Sequence, residues 1–386
     1  MSRIYLDHNA TTPLVGAALD RLTAVARDTW GNASSVHHFG QQAKAALDQA
    51  RAQVAALIGA EPAEVVFTAG GTEADNAAVR GAVEAAEVSG RRHLIVSAIE
   101  HEAVLQTAKS LSRRGFEVTL LPVGASGVAD PEALRALLTD RTALVSVMHA
   151  NNEIGTIQPV AELAAVARAG GALFHTDAVQ TAGKLPVDVA ALGVDLLSLS
   201  AHKFGGPKGA GALWIRRGVR LLPFVTGGRQ ERNRRSGTEN VPALAGMGAA
   251  AEYARRDAAT TAARVAALRD RLEQAVLDRV PGSAVNGERT ARVPNTTNIS
   301  FDRVESESLL IALDLEGIAV SSGSACSSGT LEPSHVLKAM GFPHHRTLNS
   351  LRFSLGSTTT AAEIDRVADV LPGLVDKLRR LAPARR

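Results

Sequence analysis

Between residues 65 and 215 the sequence alternates short apolar runs with longer stretches of helical spacing, and this alternation restricts the fold more than any other feature. Each run is too short for a helix and rich in aliphatic side chains, so we predict buried strands. The predicted strands are Val65–Thr68, His93–Ser97, Val118–Pro122, Ala143–Met148, Ala172–His175, Leu196–Leu199 and Ala212–Ile215. The predicted helices between them are Glu73–Glu87, Ala103–Arg114, Pro131–Leu138 and Val160–Ala169. This order indicates an α/β fold whose doubly wound, mostly parallel sheet is covered on both faces.

After about residue 258 the pattern changes to one long helix, predicted at Thr260–Arg279, followed by mixed elements. The predicted strands there are Thr296–Phe301, Ile318–Ser321 and Leu351–Leu355, and the predicted helices are Glu305–Leu315, Pro333–Met340 and Ala361–Leu381. A smaller α+β domain fits this order. We therefore assign residues 14–258 to a large ligand-binding domain, and residues 1–13 with 259–386 to a small domain.

The composition argues against several classes of function. Aromatic residues make up 3% of the chain and the net charge is only +3, which does not suit nucleic-acid binding. The densest basic segment, Arg229–Arg235, is predicted to be a solvated or subunit-contact loop. No apolar run is long enough to cross a membrane, and Asp7 and His8 interrupt the place where a signal peptide needs its apolar stretch. The single cysteine, Cys326, favours a cytoplasmic location and excludes a metal site built on several thiolates.

Asp177 and Lys203 follow two consecutive apolar runs, and together they predict a cofactor. An acid that pairs with a pyridinium nitrogen and a lysine that forms an imine are the two groups that pyridoxal 5'-phosphate most requires. Lys203 stands between an apolar strand and a Gly/Pro turn, where desolvation would lower its pKa toward neutrality. The alternatives are a helix N-cap for Asp177 and an exposed turn position for Lys203.

Three further polar groups follow predicted strands. The turn at Gly70-Gly71-Thr72 opens a helix, so its backbone N–H groups and the Thr72 hydroxyl could bind an anion or form an ordinary cap. His101 could stack on a cofactor ring and move protons, or it could cap a helix. Asn152 could bind a ligand or form a simple turn. Because strands of a doubly wound sheet bind ligands at their carboxyl ends, we expect these groups to lie along one edge.

Two residues near the C-terminus suggest substrate chemistry. Arg352 stands among serines on one face of a predicted strand, which suits bidentate binding of a carboxylate, although a solvated strand face is the alternative. Cys326 lies in a Ser/Gly-rich segment that has no large apolar side chain to bury it. A nearby cation would raise its thiolate fraction and make it a nucleophile. A chance exposed cysteine is the alternative.

At this point the sequence resembles the cysteine desulfurases, which are pyridoxal-phosphate enzymes of fold type I in the class V aminotransferase superfamily. The resemblance runs from Tyr5 to Gly356 and so covers nearly the whole chain. The motifs that carry it are Gly31–His37, Thr68–Asn76, Asn151–Gly155, Asp177–Gln180, Ser200–Gly211, Gly227–Val241 and Ser321–Ser328. The long Ser/Gly loop around Cys326 resembles the subgroup that serves iron–sulfur assembly, rather than the short-loop subgroup that includes selenocysteine lyases.

The resemblance implies a role for each matching position. Lys203 would be the Schiff-base lysine, and Cys326 would be the nucleophile that receives sulfur. His101 would stack on the cofactor ring, Asp177 would pair with its nitrogen, and Gln180 would bond its phenolic oxygen. The other implied cofactor-binding residues are Gly71, Thr72, Asn152, Ser200, His202 and, from the neighbouring subunit, Thr238. The implied residues for the substrate carboxylate are Asn32 and Arg352.

The same resemblance implies a reaction and its partners. The enzyme would remove sulfur from L-cysteine, releasing L-alanine and leaving a persulfide on Cys326. A homodimer would pass this sulfur to an iron–sulfur scaffold or another acceptor protein. A selenocysteine lyase and an aminotransferase of the same class are the alternatives, with a non-catalytic sulfur-carrier docking protein as a third.

Overall fold

In the computed structural model, which describes residues 3–322 and 333–381, residues 65–215 form a central seven-stranded sheet. Its strands are β2 (Val65–Thr68), β3 (His93–Ser97), β4 (Glu117–Leu121), β5 (Thr142–Ser146), β6 (Leu173–Asp177), β7 (Leu196–Ser200) and β8 (Gly211–Ile215). They lie in the order β2-β8-β7-β6-β5-β3-β4. The predicted α/β fold is therefore confirmed, and each predicted strand of this sheet is present with its ends within two residues of the prediction.

The direction of the strands decides where polar side chains meet. β8 is antiparallel to both of its neighbours, β2 and β7, whereas the remaining neighbours pair in parallel. The other six strands consequently run in one direction, and their carboxyl ends share one edge of the sheet. The structure therefore contains the predicted shared edge, which is where doubly wound sheets bind ligands.

Apolar side chains cover both faces of this sheet. In β2, Val65 and Phe67 pack into one core and Val66 packs into another, because successive strand residues point to opposite faces. The helices of this region are α1 (Gly16–Asp28), α2 (His38–Leu57), α3 (Gly71–Ala86), α4 (Glu102–Arg113), α5 (Pro131–Leu137), α6 (Val160–Ala169) and α7 (Val189–Leu192). Across residues 3–322 and 333–381, no helix has both the length and the apolar character needed to span a membrane.

The predicted start of the long helix was wrong, because α9 runs from Val241 to Arg279. Asn240 begins it by accepting a hydrogen bond from the Ala243 N–H at 3.3 Å, and Pro242 lies in its first turn. Its first half is rich in Ala and Gly and packs closely on α1 and α2. A Cβ atom added at Gly248 would lie 2.6 Å from the Cα of Ala50. Small side chains allow this approach but give a weak apolar periodicity, which hid the helix in the sequence.

The remaining residues form two small sheets with a core of their own. β1 (Ile4–Tyr5) pairs in parallel with β11 (Ile318–Ala319), and β10 (Thr296–Phe301) lies between β9 (Ser283–Asn286) and β12 (Ser350–Ser354). The helices are α10 (Ser306–Leu315), α11 (His335–Ala339), α12 (His344–Leu348) and α13 (Ala361–Leu381). Leu6, Phe301 and Phe353 belong to this core. The exact division into 14–258 and 1–13 with 259–386 stays a prediction, since α9 continues across residue 258.

A buried ion pair fastens a strained turn to the central sheet. In α8 (Gln230–Asn233), a single turn, the residues Glu231–Asn233 have φ values from 46° to 66°, which are costly for residues with a side chain. Both carboxylate oxygens of Glu231 accept hydrogen bonds from Arg51 at 2.7 Å, and the two side chains are only 2% and 7% exposed. The Phe67 N–H donates to the same carboxylate at 2.8 Å. These bonds offset the strain of the turn.

We expect Arg51→Met to lower the free energy of unfolding by about 3 kcal/mol, because it leaves the Glu231 carboxylate buried without its partner. Urea unfolding of the native protein and the variant measures the difference. Arg135→Met is the control, since Arg135 and Glu132 form an exposed pair, with side chains 60% and 72% exposed. Exposed pairs contribute little, so this change should have almost no effect. Equal losses in the two variants would contradict the importance of the buried pair.

Candidate active site

The shared edge of the six strands brings the predicted polar residues together. Asp177 and Ser200 are the last residues of β6 and β7, and Lys203 ends a short 3-10 turn directly after β7. The other predicted residues follow β2, β3 and β5 at the same edge; they are Gly71, Thr72, His101 and Asn152. Five of the parallel strands thus contribute to one polar region.

Lys203 is held by the N-terminal segment of the chain. Its ammonium group donates hydrogen bonds to the backbone oxygens of Asn9 at 2.5 Å and Ala10 at 2.9 Å. Burial, assisted by the positive charge of Arg352, lowers the pKa of Lys203 to about 8 against the opposing effect of Asp177. At pH 7 about a tenth of the Lys203 side chains are therefore neutral. A lysine in this state is suited to imine formation.

We expect the cofactor-free protein to form an aldehyde adduct at Lys203 with a rate that follows this pKa. Only the neutral amine attacks a carbonyl, so the rate should rise about tenfold per pH unit below pH 8 and level off above it. An ordinary lysine, with its pKa near 10.4, would keep gaining rate up to about pH 10. Borohydride reduction followed by peptide mass measurement reports the adduct at Lys203 specifically. A rate that still rises steeply at pH 9.5 would show that Lys203 is not desolvated.

Asp177 and His101 are electrostatically linked to Lys203. Asp177 is 5% exposed; its burial raises its pKa, and the charges of His101 and Lys203 oppose that effect. His101 is exposed, yet partial desolvation lowers its pKa, while Asp177 raises it and Lys203 lowers it. Both side chains also accept hydrogen bonds from the backbone. Asp177 accepts from the Val179 N–H at 2.8 Å, and His101 caps α4 by accepting from the Ala103 N–H at 3.1 Å. The capping alternative for His101 therefore describes its hydrogen bond correctly without removing it from the site.

The turn before α3 has the shape that an anion site requires. Gly70 caps the helix with φ 154° and ψ −179°, a conformation that is essentially restricted to glycine, and a Cβ there would meet no atom within 4 Å. Thr72 is exposed and does not cap α3, so the capping alternative for it was wrong. A Cβ at Gly71 would lie 3.0 Å from Val179 and 3.3 Å from Ser200, so the turn packs directly against the end of β7.

His202 is half-buried, and its surroundings favour its neutral form. Its Nδ1 lies 3.1 Å from the Thr11 hydroxyl, and its backbone oxygen accepts the N–H and hydroxyl of Thr12. Burial, followed by the charge of Lys203, lowers the pKa of His202 to about 4. It could therefore contribute a neutral N–H donor to an anion, not a positive charge.

Two residues that sequence reasoning missed, Asn9 and Lys184, contact Gln180. The Gln180 Nε2 donates to the backbone oxygen of Asn9 at 3.1 Å, and the Lys184 ammonium donates to the Gln180 Oε1 at 2.8 Å. Lys184 also donates to the Asn9 Oδ1 at 3.2 Å. Gln180 and Lys184 are four residues apart, so their contact could have been considered from the sequence. Nothing in the local sequence indicated that Asn9 of the N-terminal segment contacts both of them.

Arg352 lies on a strand face that is fully buried, so the alternative of a solvated face was wrong. Ser350, Arg352 and Ser354 of β12 are 0%, 5% and 0% exposed. One Nη of Arg352 donates to the carboxylate of Asp7 at 2.6 Å, and the other donates to the backbone oxygen of Asn152 at 3.0 Å. Its Nε is buried and has no hydrogen-bond partner among the described residues. An unpaired buried donor of this kind is what a ligand acceptor would satisfy.

The chain on each side of residues 323–332 is fastened to the same region. Before them, Ser321 and Arg352 exchange backbone hydrogen bonds of 2.7 Å and 3.2 Å. After them, the Ser334 hydroxyl donates to the buried carboxylate of Glu153 at 2.6 Å, next to Asn152 in the chain. Cys326 itself lies outside the described residues, so its predicted role stays a prediction.

Asn32 and Thr238 lie apart from this group in the described contacts. Asn32 is exposed between α1 and α2, where its side-chain oxygen accepts from the Ser34 N–H at 2.8 Å. Thr238 is exposed in the loop before α9, and Arg235 ties this loop to Glu73 of α3 through two hydrogen bonds of 2.8 Å and 3.2 Å. Their predicted ligand contacts stay predictions.

Comparison with known proteins agrees with this arrangement. The family model described as aminotransferase class-V matches residues 4–367. A cysteine desulfurase from Nostoc sp. is 49% identical over 99% of this chain and 95% of its own length. A cysteine desulfurase IscS from Dictyoglomus turgidum is 48% identical over 98% and 96%. A solved NifS-like protein superposes with a TM-score of 0.91 at 37% identity, covering 97% of this chain and all of its own. The chain therefore belongs to the class-V aminotransferase family, among its cysteine desulfurases.

Proposed function

We propose that this protein uses pyridoxal 5'-phosphate to remove sulfur from L-cysteine, releasing L-alanine and leaving a persulfide on Cys326. The observation that carries the proposal is the joint position of Lys203 and Arg352. Both side chains contact the N-terminal segment, where Lys203 donates to the backbone of residues 9 and 10 and Arg352 donates to Asp7. An amine suited to imine formation therefore shares this segment with a buried guanidinium, whose charge helps to lower its pKa. Arg352 also pairs through its backbone with Ser321, five residues before the only cysteine of the chain.

The residues at the sheet edge fit this cofactor. Lys203 is a partly neutral amine, Asp177 is a buried acid for a ring nitrogen, and the glycine turn before α3 offers N–H groups to a phosphate. Ser200 and His202 would add donors to that phosphate, Asn152 would line the site, and His101 would stack on the ring. The bound cofactor supplies an electron sink for the Cα of the substrate.

The chain's own residues would perform the remaining steps. Arg352 and Asn32 would hold the substrate carboxylate, and Lys203 would take the proton from the substrate Cα. His101 is a candidate to move a proton at the same site. The Cys326 thiolate would attack the substrate sulfur; the new S–S bond forms as the substrate C–S bond breaks, and the bonding electron pair stays with the carbon skeleton that becomes L-alanine.

The assembly and destination of the sulfur belong to the same proposal. We propose a cytoplasmic homodimer in which Thr238 reaches the cofactor phosphate of the neighbouring subunit. The persulfide would pass to an iron–sulfur scaffold or to another acceptor protein. The long segment around Cys326 and the relative named IscS support the first of these acceptors.

Anaerobic incubation with L-cysteine, followed by intact-mass measurement and an alanine assay, tests the proposed reaction. One added sulfur that maps to Cys326, together with L-alanine, is the expected result. Parallel incubations with L-selenocysteine and with a 2-oxo acid test the lyase and aminotransferase alternatives. A protein that binds no cofactor and forms no alanine would be a docking protein instead.

A further inference from the structure

The carboxamide of Gln180 is held between two groups of opposite hydrogen-bonding character. On one side, Lys184 donates to its Oε1 at 2.8 Å; on the other, the backbone oxygen of Asn9 accepts from its Nε2 at 3.1 Å. The Asn9 carbonyl oxygen can only accept, and the Lys184 amine donates in this arrangement. A flipped carboxamide would set two acceptor oxygens against each other at Asn9 and would lose the hydrogen bond that Lys184 donates. One orientation of Gln180 is strongly favoured.

The group that fixes Gln180 is itself firmly held. The Asn9 side chain donates to the backbone oxygen of Asn152 at 3.0 Å and to the Thr296 hydroxyl at 2.8 Å, while its Oδ1 accepts from Asn295 at 3.0 Å and from Lys184 at 3.2 Å. Asn9 is 2% exposed. These hydrogen bonds hold the N-terminal segment where Asn9 contacts both Lys203 and Gln180. Lys184 belongs to the same hydrogen-bond network, because it donates to Asn9 and to Gln180.

We propose that Lys184 is a positioning residue: together with the Asn9 carbonyl it fixes the Gln180 carboxamide so that Gln180 meets the cofactor as an N–H donor. This inference rests on the proposed function, in which Gln180 bonds the phenolic oxygen of the cofactor. Only one of the two Nε2 hydrogens of Gln180 is used by Asn9 in the described contacts. The second hydrogen can serve a phenolate, and the orientation imposed by Lys184 keeps an oxygen from taking its place.

Burial and charge around Lys184 are consistent with a role inside the site. Burial, followed by the positive charges of Lys203 and Arg352, lowers the pKa of Lys184 well below its usual value. Its side chain also lines a cavity of about 330 Å³ between the N-terminal segment and α9, which Lys203 and Tyr253 line as well. This cavity gives a larger cation room at the same position, so Lys184→Arg is a suitable conservative variant.

The test is the pH dependence of the visible absorbance of the bound cofactor. An N–H donor stabilises the deprotonated chromophore, in which the phenolic oxygen bears the larger negative charge, and so lowers the midpoint of the titration. Lys184→Met should raise this midpoint by about one pH unit and weaken cofactor binding roughly tenfold. Lys184→Arg should keep the midpoint close to native. Lys109→Met, a change of an exposed lysine on α4, should leave it unchanged.

A double-mutant cycle separates positioning from a simple loss of charge. If Lys184 acts through Gln180, then Lys184→Met should produce no further shift in a Gln180→Ala background. Additive shifts, or an unshifted midpoint in Lys184→Met, would overturn the inference. If Lys184→Met does not fold, Lys184→Gln can be used in the same cycle. The amide introduced at position 184 can accept as well as donate, so it no longer forces one orientation of the Gln180 carboxamide. A native protein that never becomes yellow with the cofactor would instead refute the proposed function.

Discussion

Lys203→Ala is expected to abolish the covalent link to the cofactor and to lower alanine formation from L-cysteine by at least about 1000-fold. The variant loses the amine that donates to the backbone oxygens of Asn9 and Ala10 and whose pKa responds to the charges of Arg352 and Asp177. This single substitution removes both the amine that forms the imine and the base that takes the Cα proton. Borohydride reduction followed by peptide mass measurement, with an alanine assay beside it, reports both losses.

Lys208→Ala is the matched control for this result. Lys208 lies five residues further along the same glycine-rich segment and is exposed. Its removal should leave the borohydride-stable adduct and the alanine rate close to native. A trappable adduct that survives in Lys203→Ala would mean that another lysine carries the cofactor, and the assignment of the sheet edge as the active site would then be wrong.

Cys326→Ala is expected to keep the yellow cofactor complex but to lose the persulfide, with alanine formation falling by at least about 1000-fold. Because Cys326 is the only cysteine in the chain, no other thiol of the protein can replace it. A thiolate is required to attack the substrate sulfur, and a methyl group cannot do so. Intact mass after anaerobic incubation measures the sulfur, and the absorbance spectrum measures the cofactor.

Cys326→Ser sharpens this experiment, since the hydroxyl is close in size to the thiol but is a far weaker nucleophile at neutral pH. It should behave like the alanine variant. Loss of the absorbance in either variant would point to a structural role for this position. Full alanine production without a persulfide would remove Cys326 as the nucleophile and favour an aminotransferase or lyase reaction.

The strands of the central sheet were predictable because each is a compact apolar run that the sheet buries on both faces. β2 and β3 begin and end where the sequence indicated. The first half of α9 was not predictable, because its Ala and Gly residues are selected for close packing on α1 and α2, not for an apolar stripe. Local patterns of apolar residues therefore predict buried strands well, but they do not predict where small residues let two helix backbones approach closely.

The candidate site shows the same division. Asp177 and Lys203 could be predicted as site residues because an acid and a lysine at consecutive strand ends together match the needs of one cofactor, although each has a common structural alternative. The burial of Arg352 could not be predicted from the alternation of apolar and polar residues in its strand, since a solvated polar face and a buried polar face have the same pattern. Its burial depends on Asp7 and Asn152, which approach from distant parts of the chain.

The amino-acid sequence alone indicated the α/β class and the resemblance to cysteine desulfurases, and it predicted the cofactor roles of Asp177 and Lys203, because these inferences depend on residue types and on local spacing. Only the tertiary structure showed that the N-terminal segment closes the site. Asn9 meets Lys203, Gln180 and Lys184 there through hydrogen bonds that span more than 170 residues of sequence. Such contacts leave no periodic trace, since each partner needs only one donor or acceptor at the correct place in space.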